Sequence, residues 1–248
     1  MLKNLAKSKW MDFIGIGIVI IISILSGYLL ETLNDVTHWG GWSIFVPFGI
    51  ISIFNSCLSI MSTRLTTRMN NLGNILGVIN AFLSGTIDYL LGNKAAIITY
   101  PVTFIVYMIA IKIWNNTDKN KTRKLPTGNK MTIFMSILLI ATFIFSFVTN
   151  YIGFNGQTSI MYFVTSIVFS LSLTANILNA GKFTLQWKFW FIYNLAQLAK
   201  SLVQGNFANV GKYIYYIINA LAGLDFWNAH DNKALKINTE KRTIKNGI

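Results

Sequence analysis

Residues 92–115 read GNKAAIITYPVTFIVYMIAIKIWN, and residues 205–228 read GNFANVGKYIYYIINALAGLDFWN. At a constant offset of 113 residues, Gly92-Asn93 returns as Gly205-Asn206, Ala95 as Ala208, Tyr100 as Tyr213, and Trp114-Asn115 as Trp227-Asn228, without a gap. Each copy is a tight polar turn followed by an apolar run closed by Trp-Asn. A chain of two similar apolar halves has a seam between them, and membrane transporters place their solutes at such seams.

Working outward, the chain divides into eight apolar stretches, at roughly 13–30, 43–63, 71–91, 95–114, 131–151, 158–180, 187–204 and 209–227. About 20 helical residues cross a bilayer core, so each stretch is predicted to span. Only 12% of the 248 residues are charged, against roughly 25% in soluble domains. The first stretch ends in Tyr28-Leu29-Leu30-Glu31, which carries no small-residue cleavage pattern, and is read as a retained helix. Very short breaks at Gly92-Asn93-Lys94 and around Gly205-Asn206 predict tight helical hairpins. Pro47 and Pro101 fall within the predicted spans, where each is expected to kink its helix.

The net charge of +13 is a topology signal rather than a nucleic-acid footprint. With eight spans, 18 of the 21 Lys and Arg residues fall on one side, and only Lys94, Lys200 and Lys212 fall on the other. The positive-inside rule then puts both termini in the cytoplasm. An offset that crosses four spans preserves orientation, so the two copies are parallel repeats related by an axis along the membrane normal. The predicted fold class is an all-α membrane protein with one extra N-terminal helix plus 3+1+3 parallel repeats. Its parts are the N-terminus and extra helix (1–41), a first three-helix repeat (42–114), a basic loop and linker helix (115–157), a second repeat (158–228) and a basic cytoplasmic tail (229–248).

Three helix faces are candidates for a binding site. In the seventh stretch, Trp187, Trp190, Asn194, Gln197 and Ser201 follow at spacings of 3, 4, 3 and 4 and share one face. Tyr213, Tyr216, Ala220, Gly223 and Trp227 do so in the eighth, and Thr165, Phe169, Ser172, Asn176 and Asn179 in the sixth. Polar groups are costly against lipid, so these faces look inward or into water. A competing reading makes Trp187 and Trp227 interfacial belt residues, and makes Ser172 and Asn179 helix-joining polar groups worth about 0.6 kcal/mol each. In the first copy, the counterparts of Trp187, Trp190, Asn194 and Gln197 are Asn74, Gly77, Ala81 and Ser84, and those of Phe169, Asn176 and Asn179 are Ser56, Thr63 and Thr66. The predicted pocket is lopsided: stacking and amides from the second copy, space from the first.

Other chemistry is poorly served. Cys57 stands alone, His38 and His230 lie outside the apolar stretches, and Asp12, Glu31, Asp88 and Asp225 fall near span ends. A membrane-embedded enzyme needs paired acids, a metal set or an activated nucleophile at depth; a proton-coupled carrier needs an interior acid or His. The residues favour an uncoupled facilitator over both. A membrane protein without flux is the remaining rival, distinguished by showing no saturable uptake.

Trp187, Trp190 and Asn194, followed by Gly205, Tyr213, Tyr216, Gly223 and Trp227, match the spaced pattern W-x-x-W-x-x-x-(N/D) then G-x7-Y-x2-Y-x6-G-x3-W, and in this the chain resembles the PnuC family of bacterial vitamin transporters. The resemblance is strong over 157–228 and weaker over 42–114. It implies a fold similar to SWEET sugar transporters. It also implies uptake of nicotinamide riboside across the bacterial inner membrane by facilitated diffusion, with a cytoplasmic kinase trapping the product. It carries over Trp190 and Asn194 as the leading substrate contacts, supported by Trp187, Asn176 and Tyr213. Homotrimers occur among such relatives. Asn176 stands where riboside carriers of that family tend to have Gln, and Val168-Phe169-Ser170-Leu171 replaces their Thr-rich stretch. Thiamine, riboflavin and deoxynucleosides therefore stand as alternative substrates.

Overall fold

The computed structural model describes residues 2–90, 93–118, 122–123, 128–203 and 207–246, with side chains described in these ranges except at 203, 207–209 and 232–246. Among the described residues the chain is helical: α1 (Leu2–Lys7), α2 (Trp10–Leu25), α3 (Leu33–Thr37), α4 (Phe48–Thr67), α5 (Leu72–Leu90), α6 (Ala96–Asn115), α7 (Asn129–Gly153), α8 (Ile160–Ala180), α9 (Gln186–Val203) and α10 (Phe207–Asn246). Four of them, α4, α6, α7 and α8, are long and apolar enough to cross a membrane.

Helices α4, α5 and α6 pack in sequence against one another, as do α8, α9 and α10. Helix α7 lies against α8, and α6 also meets α8. Helix α2 packs on both α4 and α10, so it bridges the two three-helix sets, and α1 lies against α10. The apolar runs explain the outward faces. Ile137, Ile140, Phe143 and Ile144 of α7 stay exposed, a surface that suits hydrocarbon and not water.

Several boundaries differ from the sequence reading. The first apolar stretch breaks early. Helix α2 stops at Leu25, Gly27 takes φ 74°, and Tyr28–Leu30 form a separate short turn of 3-10 helix. Glycine adopts that left-handed backbone at little cost, which is why the helix ends there. Pro47 does not kink a helix; it is the N-cap of α4, where a missing N–H costs nothing. Pro101 does lie inside α6, in its second turn. The eighth stretch continues beyond Trp227, because α10 runs on through the basic tail to Asn246. The predicted turn at Gly205-Asn206 and the Gly92 half of the first turn lie outside the described residues.

Short elements fill the link from α2 to α4. Thr32 caps α3 reciprocally: its hydroxyl accepts from the Asp35 N–H at 3.3 Å, and the Asp35 carboxylate accepts from the Thr32 N–H at 2.7 Å. These backbone and side-chain hydrogen bonds hold the Asp35 carboxyl below the usual carboxylate range.

At the end of the bundle where α4, α6 and α8 finish, Arg64 is fully buried. Its guanidinium donates to Asp12 Oδ1 at 2.6 Å, to Asn219 Oδ1 at 2.8 Å, and to the carbonyls of Leu5, Ala6 and Ser8 at 2.7–3.1 Å. Arg68 pairs with the other Asp12 oxygen. One side chain therefore joins α4 to α2, to α10 and to the end of α1. Counting Arg64 only as a topology charge missed this role. At the same end, Lys182 is buried, donates to the Asp118 carbonyl at 2.8 Å and lies 5.0 Å from the Trp114 ring. Burial lowers its pKa below that of a free lysine, and the Asp118 charge acts against that. Asp231 accepts from both Thr122 and Thr184, which ties the α6–α7 and α8–α9 connections to α10.

Candidate functional site

A cavity of about 810 Å³ lies between the two three-helix sets, within the roughly 300–1,000 Å³ of small-molecule sites. The second set lines it with Trp187, Trp190, Asn194 and Gln197 from α9, Ser172 and Asn176 from α8, and Tyr213 and Tyr216 from α10. These eight, all from the three faces read in the sequence, thus border one space, whereas Gly223 and Trp227 of the α10 face do not. The first set contributes Ser56, Thr63, Ala81 and Ser84 among others. Those four match the small residues expected opposite the aromatic wall, but Asn55, Asn80, Tyr100 and Tyr107 of the same set line the cavity too, so rings and amides come from both sides and the expected lopsidedness is only partial.

Helical spacing builds that wall. Trp190 and Tyr193 meet edge-on at 5.4 Å, Tyr193 and Tyr213 at 6.4 Å, and Tyr213 and Tyr216 at 6.1 Å. Edge-to-face contacts of this kind rigidify a surface. Hydrogen bonds fix two of its members. Gln197 Nε2 donates to Tyr193 Oη at 3.0 Å, and Tyr216 Oη donates to Ser59 Oγ at 2.8 Å across the seam. Gln197 therefore orients Tyr193, a wall residue that the one-face spacing argument passed over because it lies one position before Asn194.

The amides are differently disposed. Among the described residues, no hydrogen bond engages the Asn194 side chain, which is 4% exposed. Asn176 Nδ2 sits at a long 3.5 Å from Ser172 Oγ, while its Oδ1 is buried without a partner among the described residues. The Trp187 indole N–H is likewise buried and, among the described residues, unpartnered. Buried polar groups left open are costly, and here they border a cavity, where a ligand or water would satisfy them.

One expectation is corrected and another holds. Trp187 and Trp227 are not interfacial belt residues: both are buried, and their rings pack edge-on at 5.9 Å inside the core. Trp187 also lies on Gly223, where a Cβ would come within 2.7 Å of the indole. Gly223→Ala is expected to destabilise the fold by about 1–3 kcal/mol through overpacking and to shift the Trp emission; unfolding and fluorescence of the purified variant check both. Asn179, read as a possible helix joiner, does join helices: its Nδ2 donates to Asn74 Oδ1 at 2.7 Å.

The cavity also holds charge that the face analysis did not anticipate. Asp88, Lys200 and Lys212 line its far end, away from Arg64. Tyr100 Oη donates to Asp88 Oδ2 at 2.5 Å.

An all-helical bundle with a polar, aromatic cavity between two three-helix sets is the architecture of a membrane carrier, and the comparisons agree. The fold is similar to that of the crystal structure of the vitamin B3 transporter PnuC, at a TM-score of 0.64 and 12% identity, covering 91% of this chain and 93% of that one. A comparison with curated proteins returns no match. The family model described as nicotinamide mononucleotide transporter matches residues 49–229, and the chain belongs to that family. It is a transporter and not an enzyme.

Proposed function

We propose that this protein carries nicotinamide riboside across the bacterial cytoplasmic membrane as a uniporter. Kinase phosphorylation in the cytoplasm then traps the solute. In this reading the chain spans eight times, with α2 as the extra helix, α4–α6 and α8–α10 as parallel repeats and α7 as the linker. The basic end, where Arg64 lies, faces the cytoplasm. Transport proceeds by rocking one repeat against the other.

The observation that carries the reading is the aromatic, amide-bearing wall that the second set gives the cavity. Trp190 offers an aromatic face to the cationic nicotinamide ring, an attraction of about 0.5–2 kcal/mol that requires no buried carboxylate. Asn194 and Asn176 present open amide groups to ribose hydroxyls or the carboxamide. Trp187, Ser172, Gln197, Tyr213 and Tyr216 complete the walls. A second reading takes the phosphorylated nucleotide as substrate, and Lys200 and Lys212 in the same cavity favour it.

Calorimetric titration of the purified protein with nicotinamide riboside, its mononucleotide, thiamine, riboflavin and deoxynucleosides decides between these. The expected result is saturable riboside binding. Tighter binding of the mononucleotide, lost in Lys200→Gln with Lys212→Gln, would transfer the assignment to the second reading. Flux is expected to be the same with or without an imposed pH gradient. Gradient-driven accumulation that vanishes in Asp88→Asn would overturn the uncoupled mechanism.

A further inference from the structure

Beyond the basic end of the cavity, bonds run from one three-helix set to the other. Trp114 Nε1 donates to the Asn179 carbonyl at 2.9 Å, and Trp227 Nε1 donates to the Thr67 carbonyl at 3.0 Å. These two tryptophans are the repeat-related pair, 113 residues apart. Their rings meet at 5.9 Å, and both are buried. Each indole therefore reaches out of its own set to the end of the first helix of the other: α8 for Trp114, α4 for Trp227. The Asn179–Asn74 bond and the Arg64–Asn219 bond cross the same boundary.

The opposite end is built differently. Asp88 of α5 lines the cavity together with Lys200 of α9 and Lys212 of α10, so opposite charges come from opposite sets. Ion pairs among the described residues are those of Asp12 with Arg64 and Arg68, so Asp88 is not in direct ion-pair contact with either lysine. Its carboxylate is held instead by Tyr100 of its own set.

We infer that Trp114 and Trp227 form the inner gate, captured closed, and that Asp88 with Lys200 and Lys212 forms the outer gate that closes when the inner one opens. This rests on the transport and orientation proposed above. Rotating the sets apart at the basic end breaks both indole bonds together, because each bond joins the two sets. The freed N–H groups then meet water entering from the cytoplasm and are not left unpaired. The same rotation brings Asp88 towards the lysines, so new charge contacts offset the lost bonds and leave two states of comparable energy.

The test needs no substrate, so its failure is distinct from failure of the riboside assignment. In a Cys57→Ser background, Ser56→Cys reports access to the cavity, which it lines, by a membrane-impermeant maleimide applied to either side of sealed vesicles. Trp114→Phe and Trp227→Phe keep a ring and remove the donor. Labelling from the inner side is expected to rise several-fold in each and further in the double variant, while labelling from the outer side falls. Unchanged inner labelling, or an equal gain from both sides, overturns the proposal. A second experiment keeps both tryptophans. Oxidising Asp88→Cys with Lys212→Cys is expected to lock the outer end and raise inner labelling of Ser56→Cys. Lock formation without a gain in inner labelling, or failure of the pair to cross-link, also overturns it.

Discussion

Arg64→Met is expected to destabilise the protein by about 3–5 kcal/mol, the range for removing one member of a buried ion pair. On the scale of a chain this long, that lowers the unfolding midpoint in detergent by on the order of 10 °C. The loss is large because Arg64 serves five acceptors at once. Without it, Asp12 keeps only Arg68, Asn219 loses a donor, and the carbonyls of Leu5, Ala6 and Ser8 lose theirs. Asp12→Leu in the same background is expected to recover part of the stability, since it removes the carboxylate left under-paired. A midpoint unchanged in Arg64→Met would mean that the cluster is solvated and does not hold α1, α2, α4 and α10 together.

Trp190→Ala is expected to weaken solute binding on the order of 100-fold, with little change in the unfolding midpoint. Trp190 is only partly buried and lines the cavity. Removing it forfeits about 0.5–2 kcal/mol of cation–π attraction and roughly 1.5–3 kcal/mol of apolar burial on the ligand. Trp190→Phe keeps a ring and is expected to restore part of the affinity. Asn194→Leu tests the other half of the site: unpaired solute hydroxyls or carboxamide groups cost about 1–3 kcal/mol. If calorimetry finds full affinity in Trp190→Ala, the aromatic wall is packing and not a binding surface.

The candidate wall was legible in the sequence because helical periodicity alone puts Trp190, Asn194 and Gln197 on one face. The offset of 113 residues then indicated which residues oppose them. The pairing of Trp114 with Trp227 was also latent in that offset, but periodicity does not say which way a terminal tryptophan turns. A span-end Trp suits both a lipid interface and a buried seam, and what decides is a carbonyl on another helix, as at Asn179 and Thr67. Arg64 and Asp12 were opaque for the same reason. They are 52 residues apart, and nothing local marks their meeting. The break after Leu25 was readable in Gly27 but was hidden by the apolar residues Tyr28-Leu29-Leu30, which hydropathy joins to the helix before them.

Carriage of nicotinamide riboside through this cavity, with no coupled ion, is the proposal on which the site and its gates rest. Counterflow in proteoliposomes tests it most directly: vesicles loaded with unlabelled riboside, no ion gradient, and labelled riboside outside. Transient, saturable accumulation of label, abolished by Trp190→Ala, is the expected result. Absence of riboside counterflow, in protein that exchanges thiamine, a deoxynucleoside or the mononucleotide under the same conditions, would contradict it.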